Sequence, residues 1–180
     1  DEVSVLVDAA TALERRLGFH EGSIGLELVA ETPQAFVGGG SAALLGERTG
    51  CEAMIVAGQG RVRGVHFGPF DYLSSLSVPA SAQRLDHPAC EYGRHFLQHA
   101  CARHSLPLVD GPVPLLPVEL HPSAPEGSAE FEANRRAMEA GWQESFGQVR
   151  RALSAGILQG WDLHPFQLVS RYAAVFSFFR

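Results

Sequence analysis

Ile24-Gly25-Leu26-Glu27-Leu28-Val29-Ala30-Glu31-Thr32-Pro33 is the stretch whose reading decides the fold. A short apolar run of strand length ends in a carboxylate, and a Thr-Pro step follows it. Thr32 suits an N-cap and Pro33 the first helical position, so a strand over 24–31 is expected to open into a helix. Arg63-Gly64-Val65-His66-Phe67-Gly68 repeats the pattern about one βα unit later and ends in Pro69-Phe70-Asp71-Tyr72. Residues 106–111 form a third candidate strand. The fourth, with its exit loop, runs over Ile157-Leu158-Gln159-Gly160-Trp161-Asp162-Leu163-His164-Pro165.

Helical patterns lie between these runs. Residues 2–17 place Val3, Leu6, Val7, Ala10, Leu13 and Leu17 on one stripe, with Gly18 as a C′ residue. Residues 88–103 put Ala89, Tyr92, Phe96, Leu97 and Ala100 on one face. Residues 130–155 put Phe131, Met138, Trp142, Phe146, Val149 and Leu153 inward, ending at Gly156, and a last helix spans 166–179. The apolar run 53–57 reads equally as strand or buried helix. Residues 38–50 read as a Gly-rich loop flanking a weak helix; Gly38-Gly39-Gly40-Ser41 lacks the lysine and spacing of a phosphate loop. Five of the eleven prolines fall in 111–128, which predicts an irregular segment. Strands alternating with helices at this spacing predict an α/β fold with a parallel sheet, as one domain over 1–180.

Composition narrows the function. Of 180 residues, 46% are hydrophobic and 19% charged, the balance of a folded globular chain. The formal net charge of −6, with no basic stripe, argues against nucleic acid and anionic membranes as partners. No apolar run approaches the roughly 18 residues of a membrane span, and no signal peptide opens the sequence. Three cysteines, Cys51, Cys90 and Cys101, stand in no metal-like spacing and read as reduced thiols. Together these features favour a cytoplasmic protein.

The strand ends carry the chemistry, and there the sequence resembles a known superfamily. Leu26-Glu27-Leu28-Val29-Ala30-Glu31-Thr32-Pro33 resembles the strand of HpcH/HpaI aldolases and citrate-lyase β-subunits that ends in a metal-binding Glu. Gly68-Pro69-Phe70-Asp71-Tyr72-Leu73 resembles their Gly-Pro-x-Asp turn, whose Asp is the second metal ligand. Gly160-Trp161-Asp162-Leu163-His164-Pro165-Phe166-Gln167-Leu168 is similar to the last strand and His-Pro-x-Gln helix start of citrate-lyase-like proteins. Asp86-His87-Pro88 adds to the likeness, which covers nearly the whole chain and points to an uncharacterised aldolase-like branch.

The resemblance implies a (β/α)8 TIM-barrel type, with this chain supplying strands 5–8 and their helices. A complete barrel takes about 250 residues. The family's substrate-binding Arg and the polar groups of its early strands then have no counterpart here, and the absent N-terminal half-barrel becomes an expected partner. The implied function is a divalent-metal-dependent carbon–carbon lyase or aldolase, working on a 2-oxo acid or hydroxyacyl thioester through a metal-stabilised enolate. Glu31 and Asp71 would hold Mg²⁺ or Mn²⁺, and Gly68, Pro69, Phe70 and Asp71 would bind the substrate carboxylate. Homo-oligomerisation is likewise implied. The alternatives are a non-catalytic metal- or carboxylate-binding fragment and a malate-synthase-like Claisen condensation, whose general-base Asp is not identifiable here.

Every candidate also has a bland role. Glu31 could be a helix-entry carboxylate favoured by the helix dipole, and Asp71 an N-cap for a helix starting at Tyr72. Glu27 shares the Glu31 face of its strand and is expected to be buried with a cationic partner. His66 inside its strand, and Asp162 with His164 as a proton-relay pair, are the catalytic candidates; for both histidines a structural role competes. Gln59, Arg61 and Arg63 precede the second strand, at the opposite end, and are expected on the surface. Trp142, Trp161, Tyr172, Phe176, Phe178 and Phe179 read as core or oligomer contacts.

Overall fold

The computed structural model describes residues 2–37 and 50–180. The Gly-rich stretch Gly38-Gly39-Gly40-Ser41 lies outside the described residues. The chain falls into two compact units, Asp1–Val109 and Asp110–Arg180.

In the first unit the order is α1 (Glu2–Leu17), β1 (Leu26–Ala30), α2 (Pro33–Val37), α3 (Gly50–Ala57), β2 (Val62–Phe67), α4 (Pro69–Ser75), a 3-10 turn (Ala80–Ala82) and α5 (Pro88–Arg103); β3 (Leu108–Asp110) ends across the boundary. The strands β1, β2 and β3 run parallel in that order. The ambiguous run 53–57 is helix, the body of α3. Leu28 pairs with Val65 and Val29 with His66, so the period of two sets both faces at once. Leu28, Ala30, Val65 and Phe67 are buried, whereas Glu27 and Val29 are exposed. The mixed α/β architecture with a parallel sheet is therefore as the alternation predicts.

Helix faces followed the sequence less closely. In α1, Val3, Val7 and Ala10 are buried, but Leu6, Leu13 and Leu17 are exposed and Glu14 takes the inward place. The cause is Arg61. Its guanidinium donates to both Glu14 carboxylate oxygens at 2.8 Å, while the Gly22 and Ile24 amides donate to the same group. Arg61 is thus buried, not at the surface as expected, because a fully hydrogen-bonded ion pair tolerates exclusion from water. The Glu14 carboxyl is held near 2 against an ordinary 4.5, first by the Arg61 hydrogen bonds and in spite of its burial. In α5, Tyr92 is exposed, and Cys90, Gly93, Arg94, Leu97, Ala100 and Cys101 are buried. All three cysteines are free and buried. The hydrogen bond with Cys101, reinforced by burial, pushes the Cys51 thiol up, which keeps it unreactive.

The second unit holds α6 (Ala129–Ser154), β4 (Leu158–Gln159) and α7 (Gln167–Phe178) after the irregular proline-rich segment. The Ser128 hydroxyl caps α6 by accepting from the Phe131 amide at 3.1 Å. Of the α6 positions expected inward, Val149 is buried and Phe131 is exposed; Asn134, Gly141, Ser145 and Ala152 are the other buried ones. At Asn134 and Gly141 the proline segment runs against the helix. The Asn134 carboxamide accepts from the Leu120 and His121 amides and donates to the His121 carbonyl, all within 2.9 Å. A Cβ on Gly141 would lie 2.6 Å from the Pro117 nitrogen, so only glycine fits. The fourth strand is just two residues long, and 160–165 forms its exit loop.

Candidate functional site at the strand ends

The ends of β1 and β2 are laced together: the Gly68 amide donates to the Ala30 carbonyl at 2.9 Å. Glu31, the next residue, therefore stands beside Gly68. A Cβ on Gly68 would lie 2.5 Å from Glu31 Cβ and 2.8 Å from Glu31 Oε2, so the glycine is the space into which the carboxylate leans. Gly68 is also the N-cap of α4, with Pro69 at the first helical position and Asp71 in the first turn. The helix begins earlier than expected. Asp71 is not a cap for a helix starting at Tyr72 but an exposed carboxylate inside the first turn, with Phe70 before it. First-turn amides have no carbonyl partner four residues back, so Phe70 and Asp71 can each present a backbone N–H to an anion.

Behind the sheet an aromatic cluster holds this end in place. Phe67 packs edge-on against Phe36 and Tyr72 at ring separations of 6.0 and 5.6 Å. The buried Arg94 guanidinium lies 5.7 Å from the Phe67 ring centroid and pairs with Glu91 at 2.8 Å. Burial raises the Tyr72 hydroxyl above its ordinary value, keeping it neutral.

On the open face, His66 Nε2 meets Glu27 Oε2 at 2.5 Å. Glu27 thus has a histidine for its partner, and its side chain is 60% exposed instead of buried. No covering layer of described residues shields that sheet face at Glu27. The pairing was legible only in part: strand parity put Glu27 and Glu31 on one face, but the inter-strand register that brings His66 to Glu27 is a tertiary fact.

The candidates of the second unit are committed differently. Asp162 and His164 do not form a relay pair. Arg171 takes Asp162 Oδ2 at 2.6 Å, and His164 Nδ1 accepts from the Phe166 amide at 3.2 Å. Sharing a strand face failed as a guide because residues 160–165 leave the strand. Gln167, which the motif contains but the reading gave no role, is the buried clamp of this loop. Its Oε1 accepts from the Leu163 and His164 amides, and its Nε2 donates to the Val113 carbonyl at 2.8 Å. His87 is likewise structural, capping α5 through Nδ1 and the Ala89 amide.

Two hard carboxylates at adjacent element ends suit a cation such as Mg²⁺, which takes one or two protein carboxylates and fills its remaining positions with water or substrate oxygen. Among the described residues, no group of three or more His, Cys, Asp or Glu side chains gathers to hold a metal. Among the described residues, no helix is long and apolar enough to cross a membrane.

This α/β frame is shared with solved structures. A citrate lyase from Burkholderia xenovorans LB400 superposes with a TM-score of 0.59 at 18% identity, over 93% of this chain and 43% of its own. RipC from Yersinia pestis gives 0.54 at 17% identity, over 93% of this chain and 58% of its own. The Haloferax volcanii malate synthase, in its lead(II) complex, gives 0.58 at 18% identity, over 94% of this chain and 40% of its own. At these identities the likeness establishes the fold, and the chain spans 40% to 58% of the length of these relatives. No curated protein sequence matches it. The chain belongs to the family described as a domain of unknown function, DUF6986, which it matches over residues 1–180.

Proposed function

We propose that the chain is the carboxylate-bearing half of a (β/α)8 barrel, and that the barrel is a divalent-metal-dependent carbon–carbon lyase or aldolase acting on a 2-oxo acid or an acyl thioester. The observation that carries the reading is the Glu31 side chain leaning over Gly68, one helical turn before Asp71. Glu31 and Asp71 would hold Mg²⁺ or Mn²⁺. When bound, the ion would supply Lewis acidity to the carbonyl next to the bond that breaks or forms.

The protein's own groups do the rest. The Phe70 and Asp71 amides would orient the substrate carboxylate, and Gly68 and Pro69 shape a backbone that admits it closely. His66, held beside Glu27 on the open sheet face, is the candidate for moving a proton. Asp162 and His164, taken up by Arg171 and by backbone, serve the loop instead.

A parallel sheet is ordinarily covered on both faces. The exposed Glu27 and Val29 therefore support a barrel interior completed by a preceding half-barrel. The fold likeness to a malate synthase leaves a Claisen condensation as the nearest variant. A non-catalytic metal- or carboxylate-binding module is the second reading.

Calorimetric titration of Mg²⁺ or Mn²⁺, with and without pyruvate or oxalate, tests the proposal. Metal binding that tightens with the 2-oxo acid and disappears in Asp71→Ala supports the site. Binding without lyase or condensation turnover favours the second reading. Absence of binding, both to this chain and to a longer one carrying the preceding half, overturns the lyase reading.

A further inference from the structure

We infer that the cleft at the start of β2, between α3 and the α5–β3 turn, binds a small monocarboxylate with an apolar body, its carboxylate held by Arg63. The inference is independent of the lyase reading. The cleft measures about 370 Å³, and its lining residues all belong to the first unit. That volume falls in the ordinary range of small-molecule sites, roughly 300–1,000 Å³. Its walls are Ile55 and Val56 of α3, Val62 of β2 and Leu106 of the turn. Ile55 and Val62 are buried, whereas Val56 is 44% exposed and Leu106 half-buried, so apolar surface is left for a ligand to cover. Arg63 and His104 are the polar side chains that line it. Apolar walls with a few placed polar groups are the usual make-up of a ligand site.

Three observations give the ligand its class. The first is that Arg63 is held in place. A Cβ on Gly25 would lie 2.7 Å from Arg63 Cγ, so the glycine makes room for the arginine stem. Nη1 donates to the Gly60 carbonyl at 2.8 Å and Nη2 to the Gly22 carbonyl at 3.5 Å. A guanidinium so seated has given up part of its rotamer freedom before a ligand arrives, which lowers the cost of binding one. The second is charge. Among the described residues no carboxylate pairs with Arg63; its partners are backbone carbonyls. Glu52, one turn before Val56 on α3, is instead taken by Arg103 at 3.2 Å and His104 at 3.6 Å. The planar fork of Arg63 matches the planar carboxylate. The third is the setting, in which one arginine stands against four apolar walls. That suits one negative charge on a hydrocarbon body and disfavours a strongly hydrated dianion.

The cleft lies at the other end of the sheet from Glu31 and Asp71. Five residues of chain separate Arg63 from Gly68, a rise of roughly 16 Å along an extended strand. A ligand in the cleft therefore leaves the strand-end carboxylates untouched. Nor is this a sheet edge, where a further strand could add: β2 lies between β1 and β3. The walls come from elements of the unit itself, so the site needs no other segment to form it.

Titration of phenylacetate into the 180-residue chain, followed by amide NMR shifts with a chelator present, tests the site. The chelator excludes metal, so failure here leaves the lyase reading as it stands. A dissociation constant of about 1–10 mM is expected for so few heavy atoms, with shifts centred on Val56, Arg63 and Leu106. Acetate, which lacks an apolar body, and inorganic phosphate should each bind at least about tenfold more weakly. Arg63→Gln should weaken phenylacetate at least about tenfold with unchanged circular dichroism. Val56→Glu, which sets a like charge in the wall, should do the same and takes its place if Arg63→Gln misfolds. No binding up to about 50 mM, acetate or phosphate binding as tightly as phenylacetate, or shifts centred on Phe70 and Asp71 would overturn the inference. So would binding undiminished in a folded Arg63→Gln or Val56→Glu protein.

Discussion

Gly68→Ala tests the geometry of the strand ends most directly. The backbone at Gly68 has φ −94°, which alanine adopts without strain. Its steric environment is the obstacle. The new methyl would lie 2.5 Å from Glu31 Cβ and 2.8 Å from Glu31 Oε2, whereas carbon atoms rest about 3.5–4.0 Å apart. The carboxylate can swing away, but Cβ cannot move without the backbone of the β1 end. Overpacking of this kind costs about 1–3 kcal/mol. The lost freedom of the unfolded glycine offsets about 0.4–1 kcal/mol of that.

A net loss of roughly 0.5–2 kcal/mol should lower the melting temperature by about 1–8 °C in a chain of this size. Mn²⁺ affinity should fall about 10–100-fold, the usual consequence of disturbing the support of a metal ligand. Thermal melts and Mn²⁺ titration read both effects. The double variant Gly68→Ala with Glu31→Ala removes the clashing side chain beyond Cβ and should recover part of the stability lost in the single variant, a coupling that a double-mutant cycle measures. A Gly68→Ala protein as stable as the parent, with undiminished Mn²⁺ affinity, would refute the placement of Glu31 over Gly68.

Acid stability should depend on Glu14. Its carboxyl is held at about 2 in the fold by Arg61, against 4.5 ordinarily, so the unfolded chain binds the proton more tightly. The stabilisation is complete above about 4.5 and lost as pH falls toward 2; melting temperatures of Glu14→Gln should therefore vary less with pH in this window, and equal slopes would count against the pair. Gly141→Ala should destabilise the protein by about 1–3 kcal/mol despite the better helix propensity of alanine, because its methyl would meet Pro117 and Leu116 backbone at 2.6–2.8 Å. Urea unfolding that shows Gly141→Ala at or above parental stability would mean that the proline segment does not press on α6.

Strand alternation and the turn residues were enough to find the α/β order, the two strands whose ends carry Glu31 and Asp71, and the long helices. These depend on local rules: a period of two assigns each strand residue to a face, and Pro33 and Pro88 suit the first turn of a helix. Local rules were silent on which helix faces are buried. In α1 the stripe of leucines lost its inward place to Glu14, because a buried arginine 47 residues away supplies the compensating charge. The same limit explains Asp162 and His164, whose shared parity ended where the strand did, and Gln167, whose three partners lie on the loop before it and near Val113.

The sequence by itself determined the alternation of strands and helices, the strand-end carboxylates and the shared parity of Glu27 and Glu31, since each follows from residues near in the chain. Only the tertiary structure decided the Glu14–Arg61 pair, the union of Glu27 with His66, the lean of Glu31 over Gly68 and the outward aromatic face of α7. Each of these depends on which distant groups share a place from which water is excluded, and residue spacing along the chain carries no information about that.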